Sequence, residues 1–226
     1  MGISTPRFGS RIVAVAAAAL AVLVLGACAA GMGLPAEPQF AARRPNVIIV
    51  LADDLGFNDV GFQGSEVHSP RLDAWSKDAV RFTRFYSNVV CSPTRAGLMT
   101  GRWPIRFGMM RGTVEPGETY GLPASEETIA EAFGRAGYRH RAIIGKWHLG
   151  DQRRAYYPNS NGFTYFFGHL TGGVGYFTHE REAVNDIHRN YEPVRGTNGQ
   201  YLTHMVTDEA VKFIDQRGKD QEPFLL

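Results

Sequence analysis

An α/β fold, with a mostly parallel central sheet flanked by helices, is what this sequence predicts, and three observations carry it. The run Val47-Ile48-Ile49-Val50-Leu51-Ala52 is continuously apolar and rich in β-branched residues, as in a strand buried on both faces. Tyr138 to Ile144 reads as a second core strand and follows a segment with helical apolar spacing. Each run leads into residues able to do chemistry, Asp53-Asp54 after the first and Lys146 and His148 after the second. In parallel sheets ligands collect beyond the carboxyl ends of the strands.

Composition sets the outer limits. A chain of 226 residues, 44% hydrophobic and 12% aromatic, can bury a substantial core. Its 24 basic and 22 acidic side chains leave a formal charge of +2, which provides neither the basic field of a nucleic-acid binder nor an acidic tail. No nucleic-acid partner is expected. The two cysteines, Cys28 and Cys91, imply no disulfide framework.

The N-terminus reads as an export signal over residues 1–28. Arg7 and Arg11 precede an apolar run from Ile12 to Leu25 that is short for a membrane span, and Gly26-Ala27-Cys28-Ala29-Ala30 supplies small residues at its end. Leu25-Gly26-Ala27-Cys28 resembles a bacterial lipobox, which would lipidate Cys28 and anchor the protein to a membrane by that lipid alone. Ala27 and Ala29 offer the alternative cut of an ordinary signal peptidase, giving a soluble exported protein. Either route places the remainder in the periplasm or cell envelope. Residues 29–44, with glycine, prolines and no sustained period, read as a linker before a body spanning 45–226.

Within that body, Asp53 and Asp54 at a strand end would repel each other and resist ionising unless a cation neutralised them. A hard divalent ion with oxygen ligands answers that need, and a solvated turn with an aspartate capping a helix is the alternative. Ser69-Pro70 opens a helix whose Leu72, Trp75 and Ala79 are expected in the core, and Val80 to Tyr86 has strand character. A helix from Pro93 to Thr100 follows, with Ser92 or Thr94 capping it and Gly101 ending it. Cys91 would lie at its mouth, where free N–H groups, the helix dipole and Arg95 favour a tetrahedral anion; the alternative is a buried thiol at a tight turn.

Trp103 to Tyr120 reads as loop lining the site entrance. A helix capped by Ser125 carries Ile129, Ala132, Phe133 and Ala136 inward and ends at Gly137. If the exit of the Tyr138–Ile144 strand is extended, Lys146 and His148 project to one side, where a cation and an imidazole can hold an anion and move a proton. On their own, such pairs are common surface decoration. Gly162 to Gly168 supplies scaffold and pocket wall. His68, His169, His179, His188 and His204 have no metal-ligand spacing and read as structural or exposed. Thr207 to Ile214 is helical, closed by Arg217-Gly218, and Glu222 to Leu226 begins a further apolar run whose open edge reads as a truncated sheet.

Cys91, Pro93 and Arg95 match the C-x-P-x-R core of the sulfatase signature, and the run through Thr100-Gly101-Arg102 matches its longer form. Asn46 to Gly61 and Gly145 to Gly150 resemble two further blocks of that family. The chain from Pro45 to Leu226 thus resembles the N-terminal part of a sulfatase catalytic domain, in the alkaline-phosphatase-like superfamily. The resemblance implies that a maturation enzyme oxidises Cys91 to formylglycine, whose hydrated aldehyde attacks sulfur and later eliminates sulfate. It implies Ca2+ held by Asp53, Asp54 and residue 91, with Arg95 stabilising the nucleophile loop, Lys146 binding sulfate oxygens and His148 moving the proton of the elimination step. The substrate would be a sulfate monoester of a small molecule or glycan. Sulfatases are about twice this length, so the remaining metal ligands and the leaving-group acid are expected elsewhere, and weak calcium binding is expected of this chain alone. Two alternatives remain: a phosphodiesterase or phosphonate monoester hydrolase of the same superfamily, and a non-catalytic surface lipoprotein.

Overall fold

The structure, a computed structural model, describes residues 44–220 and 222–226. The expected export signal and nearly all of the linker lie outside the described residues. No described helix is long and apolar enough to cross a membrane.

The body is built on a five-stranded mixed sheet. Its strands are β1 (His140–Lys146), β2 (Tyr165–His169), β5 (Ile187–Arg189), β6 (Glu192–Pro193) and β7 (Phe224–Leu225), while β3 (Glu180–Arg181) and β4 (Val184–Asn185) form a separate hairpin. In the order β6-β5-β2-β1-β7, β1 runs parallel to both neighbours, from Ala142↔Tyr165 to Lys146↔His169 on one side and at His140↔Phe224 on the other. β5 and β6 extend the sheet antiparallel beyond β2, so only the β2-β1-β7 side has the parallel order expected.

Alternation along β2 sends side chains to both faces. Phe166 joins Trp147, Leu149, Leu170 and Leu225 in a core completed by Ala96 from α2 (Cys91–Thr100) and Ala130 from α3 (Ile129–Arg135). Tyr165 and Phe167 belong to two clusters with residues of the long helix α4 (Leu202–Asp220), where Phe213 meets Phe224 edge-on at 5.6 Å. α4 is much longer than the Thr207–Ile214 segment expected and runs through Gly218, because its buried residues lie at both Leu202 and Phe213 and packing holds it together.

The first apolar run departs from expectation. Only Val47 forms a bridge, to Leu225, with the Val47 and Ile49 N–H groups donating to the Phe224 and Leu226 carbonyls. No described helix covers either face, so Ile48, Val50 and Leu51 are exposed, Val50 by 77%. Helix α1 (Pro70–Asp78) starts where Ser69-Pro70 predicts, yet it buries no residue and leaves Trp75 68% exposed, so the expected core packing is absent. Ser69 caps nothing; its hydroxyl accepts from the Gly61 N–H and donates to Asp73. Val80 to Tyr86 forms no strand and is exposed. Without paired neighbours a β-prone run has no ladder to join.

Helix α3 is capped by Thr128, not Ser125. Thr128 accepts the Glu131 N–H at 3.2 Å while the Glu131 carboxylate accepts the Thr128 N–H at 2.8 Å, a reciprocal capping box. The Trp103–Tyr120 segment is largely loop, with a short 3-10 turn at Pro104–Phe107, but Met109 and Val114 are core residues and do not face an entrance.

Candidate functional site

Helix α2 places the first two candidate side chains, Cys91 and Arg95. It begins at Cys91 itself, two residues before the expected start, with Val90 as N-cap and no side-chain cap. Ser92 instead accepts the Val114 N–H at 2.9 Å, and Thr94 donates to the Val90 and Asn88 carbonyls. The far end is as expected: Gly101, at φ 64°, closes the helix by donating to the Gly97 carbonyl at 2.8 Å. Cys91 is a half-buried free thiol. Arg95 stands four residues on, over the same face.

The Arg95 guanidinium, 8% exposed, donates to the Lys146 carbonyl at 2.6 Å and lies 3.7 Å from Asp53. Strand β1 brings Lys146 to the same place, its Nζ donating to Asp53 Oδ2 at 2.8 Å. One carboxylate is therefore shared by two cations. Partial burial would raise the Asp53 carboxyl, but the Lys146 hydrogen bond and the charges of Lys146, Arg95 and His148 overcome this and hold it below its usual range. Ligand atoms of Asp53, Asp54 and Cys91 all lie within 4.8 Å of one another. Both aspartates are exposed, because the strand expected to bury them is uncovered.

His148 joins by a different route from the expected alternation. The backbone leaves the extended region at Gly145 (φ 115°) and His148 (φ 61°), and the Trp147 and His148 N–H groups bond to the His169 and Leu170 carbonyls. Burial, reinforced by the positive charges of Lys146 and Arg95, pushes the His148 imidazole down to about 4, so it is neutral near pH 7. Its buried Nδ1 has no hydrogen-bond partner among the described residues. A Cβ at Gly172 would stand 2.7 Å from both Nε2 and Cε1 of His148, so the loop after β2 presses its backbone against the ring.

That loop is fixed by a group the sequence did not single out. The buried Asp186 carboxylate accepts from the Leu170 and Thr171 N–H groups at 3.2 and 2.9 Å and from the Thr171 hydroxyl at 2.6 Å, with the His188 ring at 3.5 Å. Burial opposes its ionisation, but these hydrogen bonds outweigh burial and hold it below the usual carboxylate range. His169 bonds the Thr171 carbonyl through Nδ1 at 2.9 Å, and burial pushes its imidazole below the usual histidine value. The Gly172-Gly173 pair is a readable mark of close backbone approach; nothing local marks Asp186.

A family model described as Sulfatase matches residues 45–226. The chain belongs to the sulfatase family. It is 34% identical over 226 residues to N-acetylgalactosamine-6-sulfatase of Mus musculus, covering 92% of this chain and 41% of that relative. To arylsulfatase J of Mus musculus it is 32% identical over 197 residues, covering 84% and 33%. Among solved structures, Ps i-CgsB superposes with a TM-score of 0.72 at 32% identity over 81% of this chain and 44% of that one. The same protein in complex with k-i-k-neocarrahexaose gives 0.73. This sulfatase chain thus spans less than half the length of the curated relatives it matches, and its fold is that of the alkaline-phosphatase-like sulfatases.

The donor set bears on the metal that sulfatases use. Two carboxylates are hard oxygen ligands suited to calcium, whereas the Cys91 sulfur is soft and a poor match. An oxygen-bearing side chain at position 91 would make the three donors uniformly hard. They fit part of a calcium site, since that ion takes about six to eight oxygens.

Proposed function

We propose that this chain is the nucleophile-bearing portion of an exported sulfatase that hydrolyses sulfate monoesters of glycans by cleaving the S–O bond. The observation that carries the reading is the convergence of three separate segments, with Asp53, Arg95 and Lys146 in hydrogen-bond or ion-pair reach and ligand atoms of Asp53, Asp54 and Cys91 within 4.8 Å of one another. The glycan class is supported by N-acetylgalactosamine-6-sulfatase among the relatives and by the oligosaccharide complex among the neighbours.

Asp53, Asp54 and residue 91 would hold calcium, which supplies Lewis-acid polarisation of a sulfate oxygen when bound. Oxidation of Cys91 to formylglycine, by a maturation enzyme, would supply an aldehyde hydrate as nucleophile. Arg95 ties the nucleophile helix to β1 through the Lys146 carbonyl and places positive charge beside residue 91. Lys146 neutralises sulfate oxygens. His148, neutral and with an unclaimed ring nitrogen, accepts the proton released as sulfate departs from residue 91. Residues 1–28 direct export and Cys28 carries the lipid anchor in this reading.

Mass analysis of the mature full-length protein, produced with its maturation enzyme, tests the proposal. We expect formylglycine at position 91 and loss of sulfate-ester hydrolysis in Cys91→Ala. An unmodified thiol in active protein overturns it.

A further inference from the structure

Three aromatic side chains stand together on the surface beyond the loop that touches His148. Phe177 and Tyr201 stack with ring centroids 5.3 Å apart at 29°, Tyr176 lies 5.6 Å from Tyr201, and the three are 56%, 37% and 59% exposed. Exposing rings of this size forgoes the burial that normally stabilises them. The rings nevertheless do not hang from a slack loop. The Gly199 and Leu202 N–H groups donate to the Phe177 and Tyr176 carbonyls at 2.8 and 2.9 Å, joining the two segments that carry the cluster.

Beneath them lies His179, fully buried and at φ 60°, with Nδ1 bonded to Thr197 at 2.8 Å and Nε2 to the Gln200 carbonyl at 2.9 Å. A buried histidine with both ring nitrogens engaged acts here as a strut under an exposed aromatic surface. This rigidity means little ordering cost on binding.

We infer that Tyr176, Phe177 and Tyr201 form a sugar-stacking platform that holds the glycan chain of the substrate next to the sulfate site. This rests on the glycan-sulfatase reading above. Pyranose rings present flat C–H faces that pack on aromatic faces and hydroxyl rims that need polar neighbours. Exposed, uncharged Thr178, Asn198, Gln200 and Thr203 neighbour the three aromatic residues in sequence, and the His204 ring meets Tyr201 edge-on at 5.1 Å. Among the described residues, neither the Tyr176 nor the Tyr201 hydroxyl has an intramolecular partner, leaving both for sugar hydroxyls. The location is right as well. Gly172 abuts His148, and the four residues from it to Tyr176 reach at most about 14 Å, so the cluster lies within oligosaccharide reach of that ring.

The test uses the full 226-residue chain and measures binding by calorimetry and saturation-transfer NMR. The probes are carrageenan and chondroitin sulfate hexasaccharides, their desulfated counterparts, and inorganic sulfate. We expect the chain to bind at least one hexasaccharide in both sulfated and desulfated form. Tyr201→Ala and Phe177→Ala should each weaken that hexasaccharide by about tenfold and leave inorganic sulfate binding unchanged, while Tyr201→Phe keeps the ring and the affinity. Wild-type affinity in both alanine variants, loss of binding in Tyr201→Phe, or no binding of any hexasaccharide by the wild type overturns the platform; the last outcome would assign the patch to a protein partner. Binding of a desulfated hexasaccharide that is weakened in both alanine variants supports the platform independently of the sulfatase reading, which the mass analysis of the full-length protein tests separately.

Discussion

Two regions of unequal build meet at one site. From Gly121 onward the chain is a packed α/β sheet whose β1 and adjoining loops deliver Lys146 and His148, while α2 packs Ala96 and the Arg95 guanidinium against it. The region from Pro45 to Val90 carries Asp53 and Asp54 on an exposed segment joined to the sheet by one bridge and a few hydrogen bonds. The cationic half of the site is therefore held by the core. Its carboxylate half is held mainly by the charges it meets there. Such a weakly tethered segment unfolds locally at much smaller free energy than the core.

Removing the buried guanidinium is the strongest way to break this contrast. Arg95→Ala strips a partner from the Lys146 carbonyl and from Asp53, and urea unfolding should show a loss of about 3 kcal/mol. Arg95→Lys should recover less than half, because a single ammonium cannot serve both acceptors. Near-wild-type stability in both variants would mean that α2 is not the firm half.

A smaller effect is expected on the loop behind His148. Asp186→Asn should cost about 2 kcal/mol at pH 7, since the amide replaces an ionised acceptor of three hydrogen bonds. The pH profile sharpens the point. Because the folded carboxyl of Asp186 titrates below its ordinary 3.8, its stabilisation is complete above that value and is lost as pH falls through the lower folded one. Wild type should thus lose more stability than the variant on acidification below about pH 4. The folded His148 and His169 rings take up protons less readily than free imidazole, so in both proteins the decline should already begin as pH falls below 6.5, where the unfolded chain takes up protons first.

Lys146→Met should change global stability least, by under about 1 kcal/mol, because Asp53 is 42% exposed and its ion pair is partly screened. Its effect should be local. Limited proteolysis is expected to cut faster between residues 47 and 60 while α2 and the sheet stay protected; unchanged cleavage there would show that the carboxylate segment does not depend on Lys146.

Much of the site was legible because its signals are local. Cys91, Pro93, Arg95 and Gly101 mark a helix and its ends within one stretch, and Asp53-Asp54 and Lys146-x-His148 each follow an apolar run. The Tyr138–Ile144 segment was likewise readable as a strand, though its parallel partner β2 was not singled out as one. Burial was less legible. Val47–Ala52 and Trp75 read as core by hydropathy alone, yet hydropathy records what a side chain favours and not whether another element reaches it. The capping residue of α3 was misplaced by three positions for a related reason, since Ser125 and Thr128 are chemically alike and only the Glu131 side chain chooses between them.

By itself the sequence determined which groups can do chemistry, because residue identity fixes charge, hardness and nucleophilicity whatever the fold. Tertiary structure alone decided that Lys146 reaches an aspartate 93 residues away, that His148 is neutral, and that Asp186 and Gly172 shape the ground beneath it. Those outcomes depend on distance and on exclusion of water, and neither exists until separate segments are brought together.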